Sequence, residues 1–219
     1  MKIKEINLGE LDYPYLLSQI YSPPKKLYVL GNAQILREKS IAIVGCRDAS
    51  NYGKNITKEL AYNLGKNNII TVSGLAKGID TFCHIGSVEA GARTIAVVAH
   101  GLDMIYPKEN RNLAIRILKS GGAIISEYDL GKKPLKQNFP ARNRIISGLA
   151  ESTVVVEAKK ESGSLITANF ALNEGRDVYA VPGNINNANS EGTNELIKNG
   201  ANVLTSYRDL LNVEILRKL

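Results

Sequence analysis

The chain has 219 residues, 44% hydrophobic and 22% charged, which is near the average for folded globular proteins and excludes a disordered or collagenous chain. Its 28 Lys and Arg outnumber its 21 Asp and Glu to give a net charge of +7, and such an excess bears on partners only where it is concentrated. No apolar run approaches the roughly 20 residues of a membrane helix, and Met1-Lys2-Ile3-Lys4-Glu5 lacks the apolar stretch of a signal peptide, so a cytoplasmic protein without membrane attachment is expected.

Residues 1–39 contain Asp12-Tyr13-Pro14 and Ser22-Pro23-Pro24, turn-rich text with little strand pattern, and read as an N-terminal extension packed on the core. From residue 40 onward, short β-branched runs recur at 41–44, 69–72, 94–98, 123–125, 153–156 and 177–181, each the length and composition of a buried strand. Segments between them have helical apolar spacing, as in Ile56, Leu60 and Leu64 or Leu113 and Ile117. That alternation predicts an α/β fold, a doubly wound, mostly parallel sheet with helices on both faces. A short helix from Tyr207 to Lys218 closes the pattern, and residues 40–219 are expected to form one doubly wound α/β domain.

In such sheets ligands bind outside the carboxyl ends of the strands, and those ends here are small and polar. The first is Gly45-Cys46-Arg47, which lacks the second and third glycines of a dinucleotide fingerprint; no NAD site follows, and Arg47 offers a planar fork of donors to a phosphate or to a neighbouring acid. Ser73-Gly74, with Gly78 beyond, can form either a tight strand-to-helix turn or an amide nest for an anion. No Walker pattern occurs. Ser162-Gly163-Ser164-Leu165-Ile166-Thr167 reads as the start of a helix running to Glu174, with its serines capping it, its amides holding a phosphate, or both.

The positive charge is concentrated between Gly131 and Ile146, where Lys132, Lys133, Lys136, Arg142 and Arg144 occur with no acidic residue. Within it, Phe139-Pro140-Ala141-Arg142-Asn143-Arg144 joins a ring to two guanidinium groups and an amide. Single-stranded nucleic acid needs that combination: cations neutralise successive phosphates, and a ring gives any base a stacking surface. Phe139 serves equally as core. Cys46 and Cys83 stand in no disulfide or zinc spacing, and His84 and His100 belong to no recognisable catalytic constellation with Asp80, Asp103 or Glu127, so neither metal, cofactor nor enzymatic activity is expected.

Taken in order, these segments together with Gly101-Leu102-Asp103, Tyr106-Pro107, Ser126-Glu127, Pro182-Gly183 and Gly200-Ala201 resemble the DNA processing protein A (DprA/Smf) family over about 190 residues. The resemblance implies an extended Rossmann fold, a homodimer, and a basic pocket for single-stranded DNA. It also implies protection of single strands and loading of the RecA recombinase during natural transformation, without catalysis. By motif position the implied pocket comprises Arg47, Ser73, Gly74, Lys108, Lys136, Phe139, Arg142, Asn143 and Arg144. Against that pattern, Cys46 stands where the family more often has Ser, Cys83 where it usually has Ala, and residues 40–219 are expected to form the Rossmann-like DNA-binding domain without the winged-helix-like C-terminal domain of many members. Two rival expectations use the same loops: a Rossmann-like hydrolase releasing a base from a nucleoside monophosphate, and a small-nucleotide sensor.

Overall fold

Each of the six β-branched runs becomes a strand in the computed structural model, which describes residues 2–211. Among those residues one sheet contains nine strands: β1 (Lys4–Asn7), β2 (Lys26–Gly31), β3 (Ser40–Val44), β4 (Ile70–Ser73), β5 (Thr94–Val97), β6 (Ala123–Ser126), β7 (Ser152–Val155), β8 (Asp177–Ala180) and β9 (Asn202–Val203). Their order is β1-β2-β6-β5-β4-β3-β7-β8-β9. From β6 to β9 every neighbouring pair is parallel, and β1 and β2 add an antiparallel edge beyond β6. The fold is therefore the Rossmann-like, mostly parallel sheet that the alternation predicted.

Strand β3 is buried along its whole length because both its faces are covered. Successive side chains alternate between faces. Ile41 and Ile43 enter a cluster with Leu60 and Leu64 of α2 (Asn51–Lys66) and Cys83 of α3 (Ile79–Glu89). Ala42 and Val44 enter another with Ile145, Ile146 and Leu149 of α5 (Asn138–Leu149) and Ala168 and Ala171 of α6 (Gly163–Asn173). A third cluster joins Leu113 and Ile117 of α4 (Arg111–Lys119) to Ala96, Val98 and Ile124.

The N-terminal residues do more than pack on this core. They supply β1 and β2, and β2 pairs with β6 through Val29 opposite Ile125. Strand β1 has a single fully buried residue, Ile6, between polar neighbours, too short an apolar signal to read as a strand. Arg176 fixes the same segment from the other side, donating to the Leu16 carbonyl at 2.7 Å and to the Ser147 and Ala150 carbonyls at 2.6 Å. At the other end of the chain, Tyr207–Leu210 form a 3-10 turn. The rest of the expected terminal helix lies outside the described residues.

Chain order fixes where a ligand can enter. After β3 the chain runs outward through β4, β5 and β6, then returns to place β7 on the opposite side of β3. The strand order thus reverses between β3 and β7, and loops leaving those two strands diverge to open a crevice.

Candidate nucleic-acid interface

A cavity of about 850 Å³ occupies that crevice, bounded by Gly45 to Asp48 after β3, the cavity-facing side of α5, and Ser162 to Thr167 at the start of α6. The basic segment after residue 137 is helix α5. Phe139, Arg142, Asn143 and Ile146, which all line the cavity, are spaced i, i+3, i+4 and i+7, the repeat of one helical face. Arg144 is two residues, about 200°, from Arg142 and must leave from the other side.

Five of the nine expected residues meet here: Arg47, Lys136, Phe139, Arg142 and Asn143. Arg47 and Lys136 are exposed and make no ion pair with any described residue. The Arg47 guanidinium carbon lies 5.2 Å from the centroid of the Phe139 ring, over its face, a cation–π arrangement that holds the charge at the cavity mouth. Asn143 donates to the Gly163 carbonyl at 3.2 Å and so ties α5 to the first turn of α6. Ser162 caps that helix, accepting from the Ser164 amide at 3.4 Å.

Arg142 is different in kind. It is only 4% exposed, and its Nη1 donates to the carbonyls of Gly74, at 2.7 Å, and Val97. Its Nε has no partner among the described residues. Burial lowers its pKa to about 10, opposed by the charge of Asp80, so the guanidinium stays protonated at neutral pH. It thus offers the floor of the cavity a fixed positive charge while joining the ends of β4 and β5.

The other four residues lie elsewhere. Ser73 is fully buried and donates to the Ile43 carbonyl at 2.7 Å. The amides after it do form an anion nest, but the anion is internal: Gly74 and Ala76 donate to Asp80 Oδ2 at 3.1 and 3.2 Å. A side chain at Gly74 would meet both Asp80 Oδ2 and Arg142 Nη1 at 2.6 Å, so the position has no room for one. Gly78, with φ of +75°, lets this turn pass against the backbone of Cys46 and Arg47. The expected phosphate seat at Ser73-Gly74 is therefore corrected to a structural turn filled by Asp80.

Lys108 follows Tyr106-Pro107 onto a 3-10 turn and lines a separate groove with Leu102, Met104, Ile105 and Arg111. Arg144 grips Glu127 in a bidentate ion pair, at 2.9 and 2.6 Å, and donates from Nε to the Ser22 carbonyl at 2.9 Å. Its side chain is 16% exposed, so its charge is spent on anchoring the N-terminal segment to α5.

Sequence reasoning also passed over Tyr106 and Asp80, both of which line the cavity. Tyr106 stood beside the selected Lys108, and its ring is 5.9 Å from that of Phe139. Its backbone is held by His100, whose Nε2 accepts from the Tyr106 amide at 3.3 Å while Nδ1 faces the Gly101 carbonyl at 2.9 Å. That pattern requires the neutral Nδ1–H tautomer, and burial, the largest influence, lowers the His100 pKa accordingly. His84 is fully buried with Nδ1 2.9 Å from Thr94 Oγ1, and desolvation drives its pKa to about 3. Cys46, beside Glu157, and Cys83 are both pushed up to about 12, chiefly by burial, so neither is a thiolate at neutral pH.

Comparison with known proteins adds to this geometry. A family model described as DNA recombination-mediator protein A matches residues 4–214. The DNA processing protein DprA of Streptococcus pneumoniae is 46% identical over 199 residues, which cover 91% of this chain and 70% of that protein. Its solved structure superposes with a TM-score of 0.91 at 43% identity, over 97% of this chain and 75% of that one. DNA processing protein A of Helicobacter pylori, whose structure describes a single-stranded DNA binding mode, superposes with a TM-score of 0.86 at 31% identity over 98% of this chain and 97% of its own.

Proposed function

The chain belongs to the DNA recombination-mediator protein A family, and from that membership we propose that it binds single-stranded DNA in the crevice between β3 and β7 and does not turn it over. Arg47, Lys136 and Arg142 attract the sugar-phosphate chain, and Phe139 carries an unpaired base. In this role the protein shields single strands and hands them to a RecA recombinase as a homodimer during recombination or transformation.

The observation that carries the reading is the convergence of three exposed cations without an ion pair to any described residue (Arg47, Lys136 and Lys159), one buried guanidinium and an aromatic ring on one strand-end crevice. Cations on a cavity supply sequence-independent affinity, and a ring supplies about 1–3 kcal/mol per stacked base. Duplex DNA can use the cations but keeps its bases stacked away from Phe139. The two histidines, His84 and His100, are committed to internal hydrogen bonds, which supports holding a strand over reacting with it.

A ladder of labelled oligo-dT of increasing length, titrated beside duplexes of equal length, tests this. Affinity should rise steeply with length and exceed that for duplex. Equal affinity for duplex and single strand would overturn the proposal, as would saturation by a mononucleotide. Competition by RecA and the mass of the complex in solution test the hand-over and the homodimer.

A further inference from the structure

The Phe139 ring does not stand alone. Arg47 covers one of its faces at 5.2 Å, which leaves at most one face for a base. Beside it lies Tyr106, a half-exposed ring on the wall of the same cavity, with centroids 5.9 Å apart and ring planes inclined by 54°. Tyr106 is 45% exposed. A tyrosine serving only to brace a neighbour would gain from burial of its ring, whereas this one keeps apolar surface open to the cavity.

Neighbouring stacked nucleotides are parallel and follow each other at about 3.4 Å along a strand. Two rings 5.9 Å apart and tilted by 54° cannot both receive bases that remain stacked on each other. Bases lying flat on these rings are inclined to one another by the same angle as the rings. The backbone hold of His100 on the Tyr106 amide fixes the loop that carries the second ring.

We propose that Tyr106 is a second base-receiving residue, and that it and Phe139 take two consecutive bases and prise them apart. The inference rests on the single-stranded DNA reading above and deepens it. A strand bound this way is kinked between two nucleotides. Selection against duplex then has a geometric origin, because a paired base cannot tilt away from its neighbour without also leaving its partner.

The test uses a short oligo-dT carrying two adjacent 2-aminopurines, whose fluorescence rises when the pair unstacks, with the intact protein and the variants Tyr106→Phe and Tyr106→Leu. Leucine keeps apolar bulk at a half-exposed position, so the fold is retained, and circular dichroism verifies it. Wild type and Tyr106→Phe should bind with a fluorescence rise. Tyr106→Leu should weaken binding at least about fivefold, the lower end for loss of one stacked base, and abolish the rise, with the salt dependence unchanged. Persistence of the rise in Tyr106→Leu, whether or not affinity falls, overturns the inference, because Tyr106 then only props Phe139. No rise on binding by the wild type overturns it too. Failure of the wild type to bind the oligonucleotide at all is a separate result, and it removes the underlying single-strand reading itself.

Discussion

Burial decides the chemistry of His84. Its ring is enclosed by Thr94 and the surrounding core, and the desolvation cost of an imidazolium there, with a lesser push from the Arg142 charge, holds its pKa at about 3. The unfolded chain has the ordinary value near 6.5 and takes up the proton first as pH falls. The neutral ring therefore contributes stability that is fully present above about pH 6.5 and is lost between there and about pH 3, at up to roughly 1.4 kcal/mol per pH unit. Urea midpoints of wild type and His84→Gln at pH 7, 6 and 5 measure this. The variant should lose less stability per pH unit, and parallel curves would count against a buried neutral His84. His100 shifts in the same direction, so some slope persists in the variant.

Helix α5 separates two kinds of arginine that look alike in the sequence. Arg142 faces the cavity floor, while Arg144 faces Glu127 and the N-terminal segment. Arg144→Ala leaves the mostly buried Glu127 carboxylate without its partner, and such a loss costs on the order of 3 kcal/mol. Its urea midpoint should fall, with little change in the DNA affinity of the folded molecules. Arg47→Ala should do the reverse, with an unchanged midpoint and affinity at least about tenfold lower, as expected for one lost charge-assisted contact. A binding defect in Arg144→Ala at full stability would contradict the ion-pair role.

The same helix marks where the sequence stops being legible. The six inner strands were readable because strands buried on both faces are continuous runs of Val, Ile and Ala, as in Ile41-Ala42-Ile43-Val44. The antiparallel strands β1 and β2 were not, since a half-exposed antiparallel strand needs few apolar residues. Arg47, Lys136 and Phe139 could be chosen from residue type and position after a strand. The fate of Arg144 and Ser73 depended on partners far away in the chain, Glu127 and Ile43, and only folding brings those partners within reach. The 139, 142, 143, 146 spacing was in the text and would have revealed the helix face.

Across the whole molecule, the net charge of +7 matters less than its arrangement around the crevice. Binding through phosphates releases condensed counterions, so log affinity for a single strand falls with log salt by about 0.7 per neutralised phosphate. Lys136→Ala removes one exposed cation from the cavity wall and should make that slope shallower by about 0.7. Titrations between 50 and 300 mM salt, about the range in which such slopes are resolved, read it directly. An unchanged slope would mean that Lys136 touches no phosphate.

The carboxylate seated in the turn after β4 has a bearing on life among small metabolites. Sheets of this architecture commonly offer their glycine turns to free nucleotides, yet here the seat is taken by a tenant that diffusion cannot remove. What the crevice leaves on offer are dispersed handholds, each weak alone, which only a polymer long enough to reach several can use together. Ordinary cellular pools of ATP and inorganic phosphate should therefore be poor competitors, leaving the protein available to scarce, transient DNA.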